Sequence, residues 1–132
     1  MTNLTKKCLA EVRLALLALH KALVDSERIS YEKTMGSIQS HSHFLQLLTQ
    51  DPWFAWLQPL SRFIVSLDEL EEAEAPLTAA RLDQVIKEAR SLLTPSESGE
   101  GFAHHYFDAL QRDAEVVIAH AETMKLFGRV RA

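Results

Sequence analysis

Cysteine, glycine and proline are scarce in this chain, with one, four and four residues among 132. The single cysteine, Cys8, excludes an intramolecular disulfide framework and fits a reducing cytoplasm. So few glycines and prolines leave too few turns for a sandwich or barrel of many strands. No stretch approaches the ~18 uncharged apolar residues that a membrane span requires. These absences predict a helical, cytoplasmic protein without a membrane segment.

Basic residues do not dominate either, because 14 Lys and Arg against 18 Asp and Glu give a net charge of −4 at pH 7. That balance does not favour binding to nucleic acid or to an anionic membrane. A hydrophobic content of 47% and a charged content of 24% are typical of globular proteins. The length corresponds to one domain, so we predict a single domain over residues 1–132.

The apolar residues follow helical spacing, with no alternating strand pattern. A stripe with steps of 3, 4, 3 and 4 residues predicts a long first helix from about Leu4 to Lys33, formed by Leu9, Val12, Leu16, Leu19 and Leu23. Gly36 is the expected stop. A polar link over residues 36–42 and a short helix from about His43 to Thr49 should follow.

The second half of the chain has clear helix boundaries. Asp51 and Pro52 are typical of a helix start, and Pro59 predicts a kink or restart inside the third helix. Thr78 should cap a fourth helix from about Ala79 to Leu93. Asp113 either caps a sixth helix or lies on an unbroken fifth. We therefore predict an all-α, up-down bundle of four to six helices with a long N-terminal helix.

Histidine is the residue type that most favours a metal site, with six in the chain. No His has an acidic residue three positions before it, so the Glu-x-x-His pattern of di-iron bundles is missing. His41 and His43, in the polar link, can reach one ion, and His104 or His105 would complete a set of three ligands. Divalent metal binding, as a sensor or a metal-dependent enzyme, is therefore the alternative function. Otherwise, no cofactor is expected.

Two other segments have more than one interpretation. Trp53, Phe54 and Trp56 point in different directions on a helix, so one of these rings packs against the second helix or lies at a surface. Additional core is the favoured use of these aromatics, and an interface is the alternative. Five carboxylates lie between Asp68 and Glu74, at the end of the third helix. Their charge opposes the helix dipole, and either cations of the same fold or a basic partner would neutralise it. A solvated helix end is the default interpretation.

Several segments together resemble small bacterial proteins of an uncharacterised all-helical family. The similar segments are Asp51-Pro-Trp-Phe-Ala-Trp-Leu-Gln-Pro-Leu-Ser61, Gly99-Glu-Gly-Phe102 and Leu110-Gln-Arg-Asp113, within the last two-thirds of the chain. The resemblance implies a bacterial, cytoplasmic, helical protein. Because no activity is established for that family, it implies no site residues.

The leading functional prediction is a non-enzymatic helical bundle that binds another protein or a second copy of itself. A homodimer would bury part of the segment Trp53–Leu60 or the apolar flank of the first helix.

Overall fold

The structure, a computed structural model, describes residues 2–130 and confirms the all-α prediction. Within that range the chain forms six α-helices and one short 3-10 helix, with no strand. The α-helices are α1 (Thr2–Met35), α2 (His41–Gln50), α3 (Gln58–Glu72), α4 (Ala79–Leu92), α5 (Phe102–Arg112) and α6 (Ala114–Val130). The 3-10 helix, Pro52–Leu57, joins α2 to α3.

Helix α1 is the central element of the bundle and packs against α3, α4, α5 and α6. The five residues of its predicted stripe, from Leu9 to Leu23, all have 0% exposure. Contacts along its length show the direction of its neighbours: Arg13 meets Glu71 whereas His20 meets Ser61, so α3 runs antiparallel to α1. Helix α6 is also antiparallel to α1, since the early Glu11 meets the late Arg129.

Proline sets the boundary between the 3-10 helix and α3. The predicted interruption at Pro59 is confirmed as a restart, because α3 begins at Gln58 with Pro59 in its first turn. A proline there loses no hydrogen bond, since the first N–H groups of a helix have no intrahelical partner. Before it, the Asp51 carboxylate accepts a hydrogen bond from Trp53 N (2.8 Å), as expected of a cap.

The remaining helix boundaries follow local capping. Thr78 Oγ1 accepts from Arg81 N (3.1 Å), which confirms the predicted start of α4. Asp113 has an extended backbone and its Oδ1 accepts from Glu115 N (2.9 Å). The last helical stretch is therefore two helices. Gly36 (φ +104°) ends α1 as predicted.

The start of α2 differs from the prediction, because α2 begins at His41, two residues earlier than expected. Ser40 Oγ accepts from His43 N (3.1 Å), so the serine caps the helix and shortens the polar link to residues 36–40.

The carboxylates at the end of α3 are partly neutralised by cations of α1. Arg13 Nε lies 3.2 Å from Asp68 Oδ1 and 2.9 Å from Glu71 Oε1, and the Lys6 ammonium donates to the Ala73 carbonyl. The hydrogen bond to Glu71 raises the pKa of Arg13. Arg13 therefore neutralises part of this acidic segment within the fold, while Glu69, Glu72 and Glu74 are exposed, as expected of a solvated helix end.

Over the helices that the structure describes, none is long and apolar enough to cross a membrane.

Candidate functional site

Helix α1 has a second stripe on the side away from its core stripe. Its members are spaced by 3, 4, 4, 3 and 4 residues: Glu11, Leu14, Ala18, Ala22, Asp25 and Ile29. This repeat keeps them on one face of the helix. Leu14 is 58% exposed and Ile29 is 54% exposed, whereas Leu16, on the core stripe, is fully buried.

Helix α6 continues this surface beside α1. Ile118 is 52% exposed and lies next to the half-buried Ala119. Two shallow grooves with volumes of about 490 and 550 Å³ run between the helices, and both are lined by Ala18, Ala119 and Glu122. We call this continuous region the α1–α6 surface, formed at its centre by Leu14, Ala18, Ala22, Ile29, Ile118 and Ala119.

The two ends of the α1–α6 surface differ in charge. At one end, Lys125 lines the groove near Glu11 and Arg129, which lie 4.0 Å apart. At the other end, Asp113 and Glu115 line the groove near Lys21 and Asp25, which form a 2.9 Å ion pair. The first end, with Glu11, Lys125 and Arg129, therefore has one more positive than negative charge, and the second end has two more negative than positive charges, while Glu122 lies between the two ends.

A buried carboxylate, Glu27, joins three elements on another side of α1. Glu27 is 6% exposed; its Oε1 accepts from Trp56 Nε1 (2.9 Å), and its Oε2 lies 3.3 Å from Arg112 Nη2. Arg112 also donates to Ser26 Oγ (3.1 Å), so α1, the 3-10 helix and α5 share one polar network. Both oxygens of the buried charge are thus hydrogen-bonded, as a stable fold requires.

A small open cavity of about 310 Å³ lies beside this network. It is lined by Glu27, Ser30, Pro52, Trp53, Trp56, His105 and Arg112. The imidazole of His105 stacks on Trp56 with ring centroids 5.2 Å apart, which covers one face of the indole. Because Glu27 and Arg112 bond to each other, the charges of this cavity are already paired within the chain.

The aromatic residues predicted for an interface are used inside the fold. Phe54 is fully buried and its ring contacts those of Phe44 and Tyr31. Trp56 is 9% exposed, and Trp53 is half-buried, with its ring nearly perpendicular to that of Tyr31. A partner contact at Trp53, Phe54 and Trp56 stays a prediction, with little exposed aromatic surface to form it.

The predicted metal ligands do not come together as a group of three. Across residues 2–130, no cluster of three or more His, Cys, Asp or Glu side chains is arranged to hold a metal ion. His41 and His43 lie in the first turn of α2, not in a flexible link, and His43 Nδ1 accepts from Gln39 N (3.2 Å).

The other two predicted ligands also have contacts of their own. His104 Nε2 lies 3.4 Å from Asp108 Oδ2, its Nδ1 is 3.1 Å from the Glu97 carbonyl, and His105 stacks on Trp56. Divalent metal binding through His41, His43, His104 and His105 stays a prediction, without a preformed ligand set.

Two half-buried histidine pairs were missed by the sequence analysis. His20 Nε2 is 2.8 Å from Ser61 Oγ, and Tyr106 Oη contacts His120 Nδ1. Burial lowers the pKa of both histidines and raises the pKa of Tyr106. No short motif could reveal them, because the partners of the first pair are 41 residues apart.

The His20–Ser61 pair resembles the base and nucleophile of a hydrolase, but its surroundings favour a structural role. Ser61 Oγ also lies 3.3 Å from the Leu57 carbonyl of the preceding turn, an acceptor for its proton. Neither side chain lines any of the cavities described above. The pair therefore links α1 to α3 without an evident place for a substrate.

No protein-family model, curated protein or solved structure matches this chain.

Proposed function

We propose that this protein is a non-enzymatic helical bundle that acts by binding another protein chain through its α1–α6 surface. The observation that carries the proposal is the exposed apolar stripe of α1, which continues onto Ile118 of α6. Single exposed apolar residues are ordinary, whereas a contiguous apolar patch with a charged rim is typical of interaction sites. A cytoplasmic location, as the composition predicts, belongs to this proposal.

The arrangement of small and large residues supports the same role. Ala15, Ala18, Ala22 and Ala119 keep the centre of the surface low, while Leu14 and Ile118 project beside it. Small residues between larger apolar ones allow another helix to approach closely and to interdigitate. Apart from Glu122, which lines both grooves, the long charged side chains lie toward the two ends of the surface.

The test is a double variant, Leu14→Gln with Ile118→Gln, that makes the centre of the surface polar without shortening its side chains much. Glutamine is a good helix former, and both sites are exposed, so we expect the free energy of unfolding to change by less than about 1 kcal/mol. Proteins that copurify with the wild-type chain from its own cells should be lost with the double variant.

The matched control is Val65→Gln, because Val65 is 55% exposed on α3 and lies outside the α1–α6 surface. This variant should recover the same proteins as the wild type, in the same amounts. The proposal would be wrong if the double variant stayed folded and retained every partner that the wild type recovers. Copurification alone does not support it, since the dependence on Leu14 and Ile118 is the informative result.

A further inference from the structure

We infer that the partner of the α1–α6 surface is a second copy of this chain, placed with its helices antiparallel so that the two ends of the surface are exchanged. This inference rests on the proposed function and adds the identity and the orientation of the partner. It follows from the unequal charge of the two ends, which a partner of the same sequence can complement.

The charges distinguish the two ways in which such identical surfaces can pack face to face. A two-fold axis parallel to the helices lays α6 of each chain over α1 of the other and places each end against the same end, so that the end with Asp113 and Glu115 meets a second end that also has a net negative charge. A two-fold axis across the helices, near Ala18 and Glu122, places these carboxylates against the end that holds Lys125 and Arg129. Opposite charges then meet at both ends of the dimer, which favours the second arrangement.

The spacing of residues along α6 is consistent with that axis. Glu115 and Arg129 are each seven residues from Glu122, so a two-fold axis at Glu122 brings Glu115 of one chain opposite Arg129 of the other. Seven residues are two helical turns, which keeps all three side chains on one face. The axis also brings Glu122 near Glu122 of the second chain. Lys125 lies one turn from Glu122 on α6, so its ammonium can pair with that carboxylate.

On α1 the same axis places Ala18 opposite Ala18 of the second chain. Leu14 then lies opposite Ala22, which alternates large and small side chains across the interface. Glu11 comes opposite Asp25, whose charge is paired with Lys21 of its own chain. Arg129 then lies between Glu11 of its own chain and Glu115 of the second chain, so one guanidinium faces both carboxylates.

The first experiment is sedimentation equilibrium of the wild-type chain over a range of concentrations, followed by cross-linking. In a Cys8→Ser background, Ala18→Cys should form a disulfide-linked dimer under mild oxidation, because the exchanged orientation places the two thiols face to face. Val65→Cys in the same background is the control, since Val65 is exposed and lies outside the surface, and it should form no disulfide-linked dimer.

A charge-reversal set tests the exchanged ends separately. Glu115→Arg and Arg129→Glu should each weaken the dimer about three- to tenfold, because the two-fold axis repeats the exposed pair. The double variant should return to within about threefold of the wild-type dissociation constant, since each reversed charge again meets an opposite one across the axis.

Each result has a distinct meaning. Cross-linking at Ala18→Cys together with rescue in the double variant supports the exchanged arrangement. A dimer that cross-links only when Ala119→Cys is combined with Ala18→Cys overturns the orientation. A chain that stays monomeric at all concentrations overturns the second copy as the partner. In that last case the Leu14→Gln and Ile118→Gln comparison still decides the proposed function by itself.

Discussion

The hydrogen bond between Trp56 and Glu27 offers a sharp test of what holds α1 to the 3-10 helix. Replacing Glu27 with Leu fills a similar volume but leaves the buried Trp56 N–H without its acceptor. A buried donor left unpaired costs about 1–3 kcal/mol. Arg112 also loses its carboxylate, but that side chain is 37% exposed, so water replaces the bond and adds less than about 1 kcal/mol. We therefore expect Glu27→Leu to destabilise the fold by about 2–3 kcal/mol.

The same substitution should cost less when the donor is absent. In a Trp56→Phe background the indole N–H is absent, so Glu27→Leu leaves no buried donor unpaired. Only the contact between Glu27 and Arg112 is lost. We expect a cost below about 1 kcal/mol there, and hence a coupling energy of about 1–2 kcal/mol in the double-mutant cycle. Urea unfolding of the four proteins measures it, provided that the slope with denaturant stays constant. Additive effects within about 0.5 kcal/mol would refute this account of the buried carboxylate.

Two further predictions concern pH and capping. Burial lowers the pKa of His20 in the folded chain, so below about pH 6.5 the unfolded chain binds more protons, and the free energy of unfolding falls as pH drops from about 7.5 to 5.5. His20→Gln should make that fall smaller, and His120 should account for part of the fall that remains. If His20→Gln left the pH dependence of the free energy of unfolding unchanged, its assignment to His20 would be wrong. Asp113→Ala should cost about 1 kcal/mol in urea unfolding because it removes the cap of α6, whereas Asp113→Asn should retain most of the stability; equal losses would show that the cap is unimportant.

Features set by neighbouring residues were predictable from the sequence. The core stripe of α1 depends only on helical spacing, and Thr78 and Asp51 act as caps through bonds two or three residues away. The restart at Pro59 follows equally from local chemistry, since proline cannot donate a hydrogen bond. Even so, the sequence favoured an α-helix over residues 52–57, where a 3-10 helix occurs. The tighter turn belongs to a segment that buries Phe54 and Trp56, and that packing is a tertiary property.

Features that depend on distant residues were not predictable. Glu27 follows the end of the core stripe of α1, and no neighbouring residue indicates that it is buried. Its burial depends on Trp56 and Arg112, which are 29 and 85 residues away. Likewise, five carboxylates at the end of α3 did not indicate which cation neutralises them, because Arg13 lies 58 residues earlier than Glu71. Such pairs become neighbours only when the helices pack.

The α1–α6 surface combines both kinds of information. The spacing of Leu14, Ala18 and Ala22 shows that they share a face, and the flank of the first helix was one of two predicted dimer contacts. Whether that flank is covered depends on where the other helices pack: α6 lies beside the stripe, with Arg129 next to Glu11 and Glu115 near Asp25. The antiparallel α3 and α6 cover other sides of α1 and leave this stripe uncovered. An exposed apolar stripe beside a complete core contributes little to the folding of a single chain. We therefore expect it to contribute free energy when it is buried against a second chain.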